Sequence, residues 1–186
     1  MTGQDAALAR EQLLVLLRDK AVLHGDFVLA SGRRSSVYLD ARLVTLSAAG
    51  SGLVGLVLFE ALRPFSVDAV AGLAIGADPL VVSVAVVSGM RGAPIEALIV
   101  RKEAKAHGAG RTIEGPWRDG MRVAVLEDTM TTGASALQAA RAVREAGGTV
   151  ACVLGLIDRG QGARAAVEAE RYSFSAVFEA KEVLEG

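Results

Sequence analysis

The chain is poor in aromatic residues, has one cysteine and few lysines, and carries almost no net charge. Aromatics are 4% of its 186 residues, against 52% for apolar residues as a whole. The interior must therefore be filled by small aliphatic side chains, which suits packed helices and sheet. The one cysteine, Cys152, lies inside the apolar run VACVLGLID, where a buried structural thiol is expected rather than a reactive one. A formal net charge of −1 argues against nucleic acid or a membrane surface as a partner. The longest apolar stretch, Leu80–Met90, is far short of the ~20 residues needed to span a bilayer. No basic-then-apolar leader opens the sequence, so a cytoplasmic address is expected. No internal repeat, low-complexity tract or linker divides residues 1–186, and a chain of this length can bury its own core as a single domain. No G-x-x-x-x-G-K-[ST] string occurs, which excludes a Walker A nucleotide loop.

What is present alternates as an α/β fold should. Asp5 stands where it can cap an opening helix with Leu8, Leu13, Leu16 and Leu17 at helical spacing. Phe27–Leu29 and Val37–Leu39 flank SGRRSS and suit a small antiparallel pair. Residues 46–63 read as a helix ended by Pro64. Ala69–Leu73, Ala97–Val100, Val123–Leu126 and Val150–Ile157 are continuous apolar runs, the pattern of strands buried on both faces. Helical patterns at 79–90 and 133–146 lie between them, with Asp78 as the expected N-cap of the first. The predicted fold class is α/β, a central and mainly parallel sheet flanked by helices.

The most informative segment is VAVLEDTMTTGAS (123–135). An apolar strand delivers two adjacent carboxylates, Glu127 and Asp128, to its C-terminal end, where open α/β sheets bind their ligands. The following Thr/Gly/Ser residues can turn tightly and offer N–H groups and hydroxyls to an anion at the start of a helix. Acids suited to sugar hydroxyls beside such a cradle point to a ribose 5-phosphate. Read by itself, the segment is equally an ordinary strand–loop–helix connection whose hydroxyls merely cap the helix. The adjacent acids favour the ligand, because two like charges at a buried strand end are costly unless something engages them.

A second segment, VRKEAKAHGAGRTIEG (100–115), holds Arg101, Lys102, Lys105 and His107 ahead of Gly108 and Gly110. Two of the chain's four lysines fall here, against sixteen arginines overall. The bland reading is a solvated charged loop. The functional one is a basic flap that closes over a polyanion and stabilises charge on a leaving group.

Together with FVLASGRRSSVYLDAR (27–42), GLAIGADPL (72–80) and GLIDRGQGA (155–163), these two segments make the chain resemble the orotate branch of the type I phosphoribosyltransferases. The flap is the most specific of the blocks; the ribose-phosphate loop recurs in purine and pyrimidine relatives. The resemblance implies the type I phosphoribosyltransferase fold with a small N-terminal hood (1–44) and a flexible catalytic loop (101–117). It implies transfer of a phosphoribosyl group from 5-phosphoribosyl 1-diphosphate to orotate, with Mg²⁺ held mainly by the substrate's diphosphate and ribose hydroxyls. Glu127 and Asp128 would hold the ribose. Thr129, Met130, Thr131, Thr132, Gly133, Ala134 and Ser135 would form the phosphate-binding stretch, with Thr131 also beside the pyrimidine. Arg101, Lys102, Lys105 and His107 would neutralise the diphosphate, and Lys105, Arg101 and Asp128 would be the catalytic set. Arg159 would meet the orotate carboxylate and Tyr38 would lie beside the base. The family's flap reaches into a neighbouring subunit, so a homodimer with shared sites is implied.

The chain departs from the commoner family pattern at Ala30 and Ile75–Gly76, where many members carry a lysine, and at Val37–Tyr38, where many have an aromatic pair. Two other readings compete. A transferase for a purine or uracil would lack the RKEAKAHG flap. A non-catalytic sensor of the sugar diphosphate would be expected to add a nucleic-acid-binding module or a basic face, and neither is present. His24 reads as a helix cap and Trp117 as a loop anchor.

Overall fold

The computed structural model describes residues 3–28, 32, 34–103 and 112–185. In chain order the elements are α1 (Gly3–Lys20), β1 (Val22–Val28), β2 (Arg34–Leu39), α2 (Arg42–Thr45) and α3 (Ala48–Leu62). A 3₁₀ turn (Arg63–Phe65) leads into β3 (Ala69–Leu73), α4 (Asp78–Met90), β4 (Glu96–Val100), β5 (Ile113–Glu114) and β6 (Arg122–Met130). The chain continues with α5 (Ala134–Glu145), β7 (Thr149–Asp158), α6 (Ala163–Ala169), β8 (Phe174–Glu179) and α7 (Ala180–Leu184).

The four apolar runs become the centre of a six-stranded sheet of order β5-β4-β3-β6-β7-β8. Every pairing is parallel except that of the two-residue edge strand β5 with β4. β3 is buried at all five positions, as expected of a strand covered on both faces. Alternation along the strands divides the core in two. Val70, Ala124, Leu126, Cys152, Leu154 and Leu156 pack with residues of α1, α3 and α4. Ala69, Ala71, Val123, Val125 and Val153 pack with α5 and with Ala163 and Val167 of α6. Burial pushes the Cys152 thiol up to about 12, which fits a structural thiol.

Segment 48–65 has the length and mean hydropathy (1.3) to cross a membrane. Here its helix α3 packs against α1 and α4 and gives Val54, Leu58 and Leu62 to the core. The expected helix 46–63 is α3, which begins two residues later than read and is followed by the 3₁₀ turn that holds Pro64. β1 and β2 form the expected antiparallel pair, longer than read, with Val22 opposite Leu39 and Phe27 opposite Ser35. His24 is therefore not a helix cap: it lies in β1 opposite Val37. Asp5 is not the cap of α1 either, because that helix already runs from Gly3 and Asp5 sits in its first turn.

The two ends of the described chain are tied together. Arg10 on α1 donates to Val177 O (3.0 Å) and Glu182 Oε1 (2.7 Å) and lies 4.5 Å over the Phe178 ring. Arg18 donates from Nε and Nη2 to the Glu182 carbonyl at 2.9 and 2.8 Å.

Candidate active site

From β3 the chain crosses to β4 on one side, and from β6 to β7 on the other. That reversal opens a crevice at the C-terminal ends of β3 and β6, the place where ligands bind in such sheets. The segment 123–135 feeds it from β6. β6 is longer than its apolar run: it stays paired with β7 as far as Met130 opposite Asp158, so Glu127 and Asp128 are held within a strand and not in a loose turn.

The two acids serve different cavities. Glu127 opens on a hollow walled by Thr129 to Ala136, the whole turn into α5. Asp128 opens on a second hollow walled by Tyr38, Asp40, Arg42, Gly76 and Arg159. Thr129 and Thr131 border both. Burial first, then the neighbouring Asp128, pushes the Glu127 carboxyl up to about 8, and Lys102 pulls it partly back. Burial also raises Asp128, against a backbone hydrogen bond from Thr129 (2.8 Å) and the positive charge of Arg42. Glu127 Oε2 is buried with no hydrogen-bond partner, a costly arrangement for a lone protein and a suitable one for a hydroxyl-bearing ligand.

Gly133 starts α5 with φ of +83°, a conformation that favours glycine, and no side chain caps the helix. Thr131, Thr132 and Ser135 thus do not serve as its cap, and Ala134, Ser135 and Ala136 at the start of α5 line the Glu127 hollow. The stretch that the sequence suggests as an anion site thus lines a single hollow. Met130 is the exception within it: its side chain is 1% exposed and packs where a Cβ on Gly155 would come within 2.6 Å of its Cγ. The Met130 side chain belongs to the core.

In the second hollow Arg159 is fixed by its N–H to Met130 O at 2.9 Å, which places a residue from beyond β7 beside Asp128 and Tyr38. The Tyr38 ring lies 5.5 Å from that of Phe27, so it packs within the hairpin and borders the cavity at once. Gly76 makes the approach possible from the β3 side, since a Cβ there would sit 2.9 Å from Asp128 Oδ1. Sequence reading missed Asp40 and Arg42. Arg42 donates from Nε (2.8 Å) and Nη2 (2.9 Å) to the two carboxylate oxygens of Asp40, and a D-x-R step directly after a strand was the available signal.

The root of the basic segment borders a third hollow. Arg101 and Lys102 share it with Ala74, Ile75, Asp78 and Glu114. Arg101 N–H donates to Thr112 O at 2.8 Å, its guanidinium pairs with Glu114 at 3.6 Å, and Gln138 of α5 donates to Lys102 O at 3.2 Å. Asp78 is not the N-cap of α4: Ala77 holds that position and Asp78 is the first helical residue, followed by Pro79. Its Oδ1 is buried without a partner, and burial raises its pKa. Lys105 and His107 lie outside the described residues. Trp117 does anchor a loop, its Nε1 donating to Asp119 at 3.3 Å while the ring packs against the α5-side core. Among the described residues no three His, Cys, Asp or Glu side chains are grouped to hold a metal ion.

Comparison with known proteins gives one consistent result. The chain is 49% identical over 178 residues to the orotate phosphoribosyltransferase of Thermosynechococcus vestitus, covering 94% of both chains. Its structure superposes on Mycobacterium tuberculosis H37Rv orotate phosphoribosyltransferase with a TM-score of 0.86 at 41% identity, over 94% of this chain and 98% of that one. The same enzyme in complex with 5-phospho-α-D-ribosyl 1-diphosphate superposes with a TM-score of 0.81 at 36% identity, over 94% and 98%. No family model matches the chain.

Proposed function

The chain belongs to the orotate phosphoribosyltransferase family, and on that premise we propose how its residues divide the work. The protein is an enzyme of pyrimidine biosynthesis that transfers a phosphoribosyl group from 5-phosphoribosyl 1-diphosphate to orotate. The products are orotidine 5′-monophosphate and diphosphate. The observation that carries the assignment of residues is the pairing of an uncapped α5 N-terminus with a buried, partnerless Glu127 oxygen in one hollow.

In this reading the N–H groups and hydroxyls from Thr131 to Ser135 bind the 5′-phosphate, and Thr129 borders it. Glu127, largely protonated near neutral pH, and Asp128 bind the ribose hydroxyls. As the C1–diphosphate bond breaks, the ribose becomes oxocarbenium-like and the leaving group gains charge, so the enzyme accelerates the step through position and electrostatics. Asp128 is the negative group nearest the ribose, and Arg101, Lys102, Lys105 and His107 receive the diphosphate. Arg159 pairs with the orotate carboxylate, for which a planar guanidinium is suited, and Tyr38 lies along the base.

Mg²⁺ fits this arrangement as a companion of the substrate. The described acids are not grouped as a cation cage, and Mg²⁺ commonly stays on phosphate oxygens and water. It would be carried by the diphosphate and ribose hydroxyls, where it adds charge neutralisation to that of the cations. Residues 1–186 act as one domain, with 1–44 as a cover for the base and 101–117 as a closing loop. The enzyme is a cytoplasmic homodimer with shared sites. Val82, Val86 and Met90, 49%, 55% and 83% exposed along α4, recur every fourth residue and offer an apolar stripe to a second subunit.

A spectrophotometric assay of orotate consumption with the sugar diphosphate and Mg²⁺, run beside uracil, hypoxanthine and adenine, tests the reading. Orotate alone should be consumed; turnover of another base with orotate untouched would overturn it.

A further inference from the structure

Arg42 is 47% exposed, yet its guanidinium is held at two points. Asp40, 17% exposed, accepts from its Nε and Nη2 at 2.8 and 2.9 Å and from its backbone N–H at 3.1 Å. A bidentate, charge-assisted pair fixes the plane of the guanidinium as well as its position. Its remaining donors are free to face the hollow that Arg42 shares with Asp128, Tyr38, Gly76 and Arg159.

We propose that Asp40 and Arg42 are positioning residues for the transfer reaction: Asp40 clamps Arg42 as a fixed cation on the hollow of Asp128, where it favours the charged form of that acid at the ribose. This inference rests on the reading of Asp128 as a ribose-binding group. Three facts carry it. The clamp and Asp128 border one cavity. Arg42 is the cation whose charge counters the burial of Asp128. Lys102, the other cation that acts on the acid pair, acts on Glu127. The charged and titratable groups around Asp128 are Glu127 on its own strand, Tyr38, Asp40 and Arg42 from the N-terminal region, and Arg159 from beyond β7. Asp40 opposes Arg42 in its effect on Asp128, but it also holds the guanidinium in place. The two acids thus face different cations, Arg42 for Asp128 and Lys102 for Glu127.

The test is the affinity of the whole protein for 5-phosphoribosyl 1-diphosphate with Mg²⁺, measured by calorimetry from acid to neutral pH. It is joined to Michaelis constants for both substrates. Arg42→Gln and Arg42→Met remove the charge; Arg42→Lys keeps it without the planar clamp. For the neutral variants the acid limb of the affinity profile should move up by about half a pH unit or more, the direction expected when a nearby cation is lost. Arg42→Lys should move it less, and the orotate Michaelis constant should change less than about twofold, as no contact with the base is lost. An unmoved acid limb overturns the proposal, as does a loss confined to orotate, which would make Arg42 a base contact. Failure of both neutral variants to fold would assign the clamp to stability and overturn it too. If the wild-type chain binds the sugar diphosphate but consumes a different base, the functional reading fails while the clamp remains under test. No binding by the wild-type chain overturns both.

Discussion

Glu127 and Asp128 sit at the end of a central strand, flanked on both sides by paired neighbours, whereas Arg101 and Lys102 leave β4 beside the short edge strand β5. The acids are held in a partly buried crevice that raises the pKa of each. Arg101 is 43% exposed and pairs only loosely, at 3.6 Å, with a Glu114 that is 41% exposed. Burial of a charge costs stability, and exposure of one costs little. The two acids are thus held in place by their strand and oppose folding as pH rises, while the exposed Arg101–Glu114 pair adds little to the fold; in the proposed reading the cations act when a polyanion is bound. Substitutions should separate the halves: those on the acid side should move stability and activity together, those on the basic side activity alone.

The largest effect is expected where each half loses its charge. Lys105→Ala and Asp128→Asn should each slow turnover by about a hundredfold or more, on the order of 3 kcal/mol for one lost transition-state contact, with Lys105→Ala leaving the melting temperature unchanged. If the loop serves the neighbouring subunit, co-folding the two inactive variants should restore about a quarter of wild-type activity, since about half of a random mixture is heterodimer with one intact site of two. No recovery in mixed dimers confirmed by mass would return the loop to its own subunit. Next in size, Arg159→Ala should raise the orotate Michaelis constant about 10- to 100-fold, the worth of a hydrogen bond to a charged group, and leave that of the sugar diphosphate nearly unchanged. Equal losses for both substrates would place Arg159 in the fold rather than the base site.

The pH experiment probes the cost on the acid side directly. Glu127 rises from its ordinary 4.5 to about 8 in the folded protein. Between those values the folded state binds more protons than the unfolded one, so stability falls as pH rises through the window. The melting temperature of the ligand-free enzyme should decline from about pH 5 to 8, and Glu127→Gln should flatten that decline by several degrees, at about 2–4 °C per kcal/mol for this length. A parallel slope in the variant would show that Glu127 is not the group responsible. The smallest change belongs to the basic side: Arg101→Gln should alter stability by less than about 1 kcal/mol, as for most exposed ion pairs, while raising the Michaelis constant for the sugar diphosphate. A marked drop in melting temperature would break the contrast.

Much of this was legible in the chain. The apolar runs 69–73, 97–100, 123–126 and 150–157 fall within β3, β4, β6 and β7 because strands buried on both faces need uninterrupted apolar sequence. The acid–threonine segment read as a ligand loop because two carboxylates together have no cheap structural use. The missing pieces had weaker signals. β5 is two residues long, and β8, FSAVFE, is mostly half-buried, so neither makes a continuous apolar run. α6 and α7, at seven and five residues, are too short for a helical period to stand out. His24 was misplaced because α1 ends at Lys20 and the chain turns at once into β1. The Asp40–Arg42 clamp was missed because what the two residues face is set by strands far along the chain.

The bond between α1 and the last helix bears on how the protein is made. Arg10 and Arg18 need Glu182 and Val177 as partners, 164 to 172 residues downstream. On the ribosome α1 is synthesised long before these partners, so Arg10 and Arg18 stay unpaired until residue 182 has left the exit tunnel. Domains are built at about 5–20 residues per second, so the first helix spends on the order of ten seconds or more as an unfinished surface, open to the chaperones that attend nascent chains.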